Sequence, residues 1–132
     1  MSIPLHPPEL DRQNRPAVLA VAADLLFGSR IRAAADAAGV AVHLARTADD
    51  AVEAARTRVP GLILIDLDAR KLDAVALIRR LRDPEIGIRA PVVAFVSHVR
   101  TDAIDAARAA GADRVLARSA FVRELNALLA GI

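Results

Sequence analysis

The stretch LILIDLDARKLDAVALIRRLR, residues 62–82, decides the fold. It opens on four aliphatic residues, Leu62 to Ile65, and the run ends at Asp66. A short unbroken apolar run marks a strand buried on both faces. From Leu72 the period changes. Leu72, Val75, Ala76, Leu77, Ile78 and Leu81 give residues 72–81 the wide apolar stripe of a helix lying on a core. The unit is a buried strand, a turn carrying Asp66 and Asp68, and a covering helix.

The same unit recurs on either side. Upstream, AVLAVA (17–22) is a second apolar run, and SRIRAAADAA (29–38) is helical and closes at Gly39. VAVHLA (40–45) reads as a strand. Thr47 then N-caps a helix that runs to about Arg58, with Asp50 at the capping-box position. Pro60-Gly61 makes the break before Leu62. Downstream, 83–90 is a loop, PVVAFV (91–96) a strand, 101–110 a helix ending at Gly111, and DRVLA (113–117) a strand. Ser119 is expected to cap a last helix through Leu129. Five strands alternating with five helices predict a parallel sheet covered on both faces. Right-handed crossovers leave few topologies for such a chain. The reading is an α/β doubly wound, flavodoxin-like (βα)5 fold with strand order 2-1-3-4-5. Residues 1–15, with Pro4, Pro7 and Pro8, read as a flexible N-terminal tail ahead of a domain at 16–132.

Composition bounds the function. The 132 residues suffice for one domain with one real core. Hydrophobic residues are 55% but aromatics only 2%, so that core is built from Ala, Val, Leu and Ile. Eighteen basic residues stand against 16 acidic, and a net charge of +2 is not a nucleic-acid footprint. The high pI reflects base type, since Lys71 is the one lysine among arginines. Cysteine is absent, which excludes disulfides, thiolate metal sites and a cysteine nucleophile. The N-terminus lacks a signal peptide's apolar stretch, and no apolar run reaches the length of a membrane span. A cytoplasmic protein without membrane partners is expected.

In a doubly wound sheet, functional groups collect beyond the carboxyl ends of the strands. Those ends carry Ala22-Ala23-Asp24, Arg46, Asp66 with Asp68, Ser97-His98, and Arg118-Ser119. Carboxylates, a hydroxyl and a cation would thus meet over one edge. They suit either an anion-handling or phosphoryl-transfer site, or Asp–Arg pairs that cap loops and helix ends.

With those residues in place, the chain resembles the response-regulator receiver domain of two-component signalling, from about Pro16 to Ile132. Residues 62–82 resemble the family's third strand, phospho-acceptor aspartate and third helix. PVVAFVS (91–97) is similar to the fourth strand with its switch Ser or Thr. AARAAGADRVLARSAF (106–121) resembles the fourth helix, the AGAD turn and the Lys-Pro dipeptide. By resemblance, Asp66 matches the phospho-acceptor, Ser97 the switch hydroxyl and Arg118 the family's lysine. The departures are specific. The acidic pair that holds Mg²⁺ at the end of strand 1 is replaced by Ala22-Ala23, with Asp24 one residue beyond. The proline after the lysine is Ser119, the proline four residues past the acceptor is Arg70, and the Asp-Gly that follows it is Asp73-Ala74.

Phosphoryl transfer to a carboxylate crowds negative charge, which Mg²⁺ neutralises through oxygen ligands. With Ala22 and Ala23 the metal is left with Asp66 as its one well-placed carboxylate unless Asp24 or Asp68 substitutes, and Arg118 could instead pair with Asp66. The resemblance therefore implies a degenerate, or pseudo-, receiver. It would be a non-enzymatic module acting by protein–protein contact in a signalling or phosphorelay pathway, with no cofactor. The alternative is a phosphorylatable receiver that takes a phosphoryl group on Asp66 and holds Mg²⁺ with Asp66, Asp24 and Asp68. With the chain ending at Ile132, output is expected through the domain's own surfaces. The face of helix 4, strand 5 and helix 5 offers Asp105, Arg108, Arg114, Arg123 and Glu124 for an isologous homodimer. Leu25-Leu26-Phe27 is expected in the loop after strand 1, either docking a partner or packing inward. Arg79, Arg80 and Arg82 read as a solvated helix face rather than a nucleic-acid contact. His43, His98 and His6 lack the spacing of a zinc site, and Gly28-Ser29 is too little for a phosphate-binding loop.

Overall fold

Strand β3 (Leu62–Asp66) is buried at every residue, as is β4 (Val92–Val96). Both lie inside a five-stranded parallel sheet of order β2-β1-β3-β4-β5, completed by β1 (Ala17–Val21), β2 (Ala41–Ala45) and β5 (Arg114–Ala117). This is the expected flavodoxin-like topology. The structure is a computed structural model and describes residues 17–22, 24–97 and 100–132. The expected tail, and the expectations placed on Ala23 and His98, lie outside the described residues.

Alternation along the inner strands divides the core in two. Leu19, Val21, Ile63, Ile65, Val92, Ala94 and Val96 point to one face, under α2 (Ala48–Arg58), α3 (Ala74–Leu81) and α4 (Thr101–Ala110). Val18, Ala20, Leu62, Leu64, Val93 and Phe95 point to the other, under α1 (Leu25–Ala38) and α5 (Arg118–Ala130). Leu62 to Ile65 of β3 and every residue of β4 meet a helix layer, which is why both runs are apolar without a break. The edge strand β2 is only half-buried along most of its length, and its sequence is correspondingly mixed.

Three helix starts differ from the sequence expectation, and a side-chain cap explains two of them. Helix α1 begins at Leu25, not Ser29. The Asp24 carboxylate accepts from the amides of Leu26 at 2.9 Å and Phe27 at 3.3 Å, so the helix starts there and runs through Gly28. Leu25-Leu26-Phe27 is therefore a first helical turn and not a loop. Leu25 and Leu26 face outward while Phe27 is buried. Helix α3 starts at Ala74, because Asp73 caps it by accepting from the Ala76 amide at 3.0 Å. Helix α5 starts at Arg118, and Ser119 lies inside it. Its N-cap is Ala117, with no side-chain cap. Thr47 does cap α2, accepting from the Asp50 amide at 3.1 Å. The Asp50 carboxylate turns instead to His43 Nε2 at 3.3 Å.

One clamp was invisible in the sequence. Arg82, expected on a solvated face, donates from Nε to the Gly111 carbonyl at 3.0 Å, from Nη1 to the Ile88 carbonyl and from Nη2 to the Asp113 carboxylate. Asp113 also accepts from the Val92 amide at 2.7 Å. The guanidinium thus ties α3, the 83–90 loop and the entry to β5 into one unit. Gly111 makes room for it. Its φ is +121°, and an added Cβ would fall 2.5 Å from Arg82 Cγ.

Candidate functional site

The carboxyl edge of the sheet forms an open cleft of about 660 Å³ lined by Asp24, Arg46, Asp66, Asp68, Ala69, Arg70, Lys71 and Arg118. Asp66 lies at its floor as the last residue of β3. It is the buried charged residue of the described core, 2% exposed. Its Oδ1 accepts from the Asp68 amide at 2.8 Å. Its Oδ2 meets Arg118 Nη2 at 3.5 Å. Helix α5 begins directly after β5, and this delivers Arg118 to the same edge.

Arg118 is shared. Its Nη1 lies 3.8 Å from Asp24 Oδ2, and its guanidinium carbon sits 4.6 Å above the Phe27 ring. Phe27 packs in turn at a tilt against Phe95 and Phe121, which stack on each other with centroids 4.2 Å apart. All three phenylalanines of the chain thus form one platform beneath the site. A guanidinium held over an aromatic face gains cation–π attraction in addition to its ion pairs. Arg118 Nε is buried and finds no hydrogen-bond partner among the described residues.

A second network lies beside the first. Asp68 Oδ2 accepts from the Ser97 amide at 2.6 Å, and Asp68 Oδ1 lies 3.7 Å from Arg100 Nη2. The turn after β3 is therefore fastened to the turn after β4.

The two carboxylates respond in opposite directions. Burial raises the Asp66 carboxyl above its ordinary value. The Asp68 amide and Arg118 work against this, and the charges of Asp68 and Asp24 reinforce it. Burial also pushes Asp68 up, but the amide and hydroxyl of Ser97, with Arg100 and Arg118, outweigh it and hold Asp68 low. A single cation 3.5 Å away, itself shared with Asp24, does not offset the desolvation of Asp66.

The sequence-derived residues Asp24, Asp66, Asp68 and Arg118 are brought to one cleft. Ser97 joins them through its contact with Asp68. Ala22 is 8% exposed at the end of β1 and offers no oxygen from its side chain. Of the two alternatives for Leu25-Leu26-Phe27, Phe27 follows the inward one, its ring lying under Arg118. Arg100 was missed, because it contacts a residue 32 positions away in the chain.

The donor set does not fit a Mg²⁺ ion, which needs near-octahedral oxygen ligands. Asp24 uses one oxygen to cap α1 and turns the other toward Arg118. Both oxygens of Asp66 and both of Asp68 already face N–H donors or guanidinium groups. Among the described residues, no three His, Cys, Asp or Glu side chains converge as a metal site.

The model of the response regulator receiver domain matches residues 18–130, and the chain belongs to that family. It is a signalling module of the receiver type, and receivers work through contacts with other proteins. Solved structures agree on the fold. A response regulator from Thermotoga maritima superposes with a TM-score of 0.72 at 21% identity, covering 89% of this chain and 99% of that one. The receiver domain of a Francisella response regulator gives 0.73 at 23% identity, covering 86% and 93%. A CheY-like receiver domain protein from Methanospirillum hungatei gives 0.74 at 14% identity, covering 88% and 94%. No curated protein matches the chain. No helix among the described residues is long and apolar enough to cross a membrane.

Proposed function

We propose that this receiver is uncoupled from ordinary Mg²⁺-dependent phosphorylation and signals as a binding module, without enzymatic activity and without a bound cofactor. The observation that carries this reading is the position of Arg118 between Asp66 and Asp24. It places a fixed positive charge beside the acceptor carboxylate, where a receiver with an acidic pair would recruit a metal. Ala22 supplies no ligand, and burial draws Asp66 toward its protonated, less nucleophilic form.

The test is incubation with Mg²⁺ and acetyl phosphate, and separately with beryllofluoride, followed by intact mass and NMR. The expected result is an unmodified protein with unshifted Asp66 and Ser97 amides. Stoichiometric modification at Asp66 overturns the reading. It would favour the alternative, a phosphorylatable receiver whose metal is held by Asp66, Asp24 and Asp68, which do line one cleft. That alternative requires measurable Mg²⁺ affinity, abolished in Asp66→Asn.

The partner is a signalling protein rather than a nucleic acid. Arg82 is taken up in its clamp and Arg80 pairs with Asp49 at 3.1 Å, so the arginines of α3 do not form a free basic stripe. A homodimer through α4, β5 and α5 draws on Asp105, Arg108 and Arg123. Arg114 and Glu124 of the same face already pair with each other at 2.8 Å. Light scattering at high concentration tests it, and a monomer mass removes it.

A further inference from the structure

We propose that the rim of the Asp66 cleft is a binding site for a compact diphosphate, formed by Arg46, Arg70 and Lys71. Four cations line this cleft, Arg46, Arg70, Lys71 and Arg118, against three carboxylates, Asp24, Asp66 and Asp68. The carboxylates are answered from within. Asp24 and Asp66 share Arg118, and Asp68 is held by the Ser97 amide and by Arg100. Arg46, Arg70 and Lys71 are exposed, and among the described residues none of them takes part in an ion pair. Three uncompensated positive charges thus surround one concavity on a chain whose net charge is only +2.

Their chemistry selects the anion. Two guanidinium groups can each hold phosphate oxygens in a two-point fork, and the lysine adds a point charge. The cleft has the volume of a small-molecule site. No aromatic side chain lines it, so recognition falls chiefly on the phosphates. The buried carboxylate of Asp66 on the floor keeps the anion at the rim. None of the three rim cations pairs with Asp66, so the site is that of the unphosphorylated chain; a phosphoryl group on Asp66 would add negative charge to the floor and compete for them.

The experiment is an amide NMR titration of the full chain with inorganic pyrophosphate, in chelator and at low salt. Saturable shifts confined to the neighbourhood of residues 46, 66–71 and 118 are expected. Replacing the rim in Arg46→Gln/Arg70→Gln/Lys71→Gln should weaken binding at least about tenfold. A control, Arg58→Gln/Arg79→Gln/Arg89→Gln, removes the same charge from exposed positions outside the cleft and outside the α4, β5 and α5 face, and should bind as the parent does. Equal weakening in both variants, or none in the rim variant, overturns the site, as does the absence of saturation. An acidic peptide that binds the rim as tightly as pyrophosphate also overturns it, since the occupant would then be a protein segment. ADP titrated in parallel distinguishes a free diphosphate from one carried on a nucleoside. Binding equal to that of pyrophosphate shows that a nucleoside is tolerated, and weaker binding shows that the free anion is preferred.

Discussion

The carboxylate of Asp68 and the amide of Ser97 are 2.6 Å apart, although 29 residues separate them in the chain. The contact fastens the turn after β3 to the turn after β4, and the depressed Asp68 carboxyl reports it. Asp68→Ala is expected to lower stability by about 1–2 kcal/mol, toward the low end for a hydrogen bond to a charged group because the contact is exposed. Hydrogen exchange at the Ser97 amide should quicken in the variant, and urea unfolding gives the stability. The contribution has a defined pH window. A lowered folded-state value means that it is complete above the ordinary carboxyl value of 3.8 and is lost as pH falls below it. Unfolding curves of parent and variant should therefore converge in strong acid.

Asp66 has the opposite sign. Its carboxyl is raised, so the folded chain holds that proton more tightly than the unfolded chain does. Stability linked to this group falls as pH climbs from 3.8 to the raised value and is level outside that interval. Asp66→Asn keeps an acceptor for the Asp68 amide and removes the buried charge. It should gain about 1 kcal/mol at neutral pH, seen as a few degrees in Tm, with the gain disappearing below pH 3.8. Arg118→Ala should do the reverse and cost about 1–2 kcal/mol. That is less than the loss typical of a fully buried pair, because Arg118 retains 30% exposure and its contacts are long.

Metal binding should be recoverable by design. If Ala22, Ala23 and Arg118 together block it, then Ala22→Asp/Ala23→Asp/Arg118→Lys should acquire Mg²⁺ affinity and beryllofluoride capture at Asp66. Calorimetry measures the first and fluorine NMR the second. Arg118→Lys alone should acquire neither. A lysine removes the planar fork that spans Asp24 and Asp66 but adds no oxygen ligand.

Two backbone positions with positive φ should respond in opposite directions. Gly111→Ala forces a Cβ against Arg82 and should cost about 1–3 kcal/mol. Val59 ends α2 at φ +46°, where a β-branched residue is strained, and its side chain is exposed. Val59→Asn should therefore raise Tm, because asparagine tolerates this region better than valine does. Thermal unfolding followed by circular dichroism checks both.

Which parts of the molecule could be read from residue order follows from the range of the interactions. The runs at β3 and β4 are legible because both sheet faces are covered, and burial leaves one kind of residue acceptable at every position. The alternation of strands and helices makes the sheet parallel and, with right-handed crossovers, leaves few strand orders, of which 2-1-3-4-5 is the one observed. The cap at Thr47 is legible because its partner lies three residues on. The cap at Asp24 is equally local but was obscured by Gly28 and Ser29, which resemble a loop in composition while lying inside α1. What no local pattern carries is the partner of an arginine. Arg82 meets Asp113 across 31 residues, and Arg118 meets Asp66 across 52. Arg82 occupies a stretch that reads as ordinary charged helix. Arg118 was legible first as a cation at the carboxyl edge and then through the family resemblance, whereas nothing pointed to the clamp made by Arg82 or to Arg100.

The platform of Phe27, Phe95 and Phe121 has a consequence for observation. The chain has neither tryptophan nor tyrosine, so it is nearly transparent at the wavelengths by which proteins are usually followed. Its whole aromatic content lies under the guanidinium of Arg118. Ring currents there should displace the Arg118 side-chain resonances upfield, and any event that lifts the arginine from Phe27 should return them toward ordinary frequencies. The site thus carries its own spectroscopic reporter, with no other phenylalanine, tyrosine or tryptophan in the chain to obscure it.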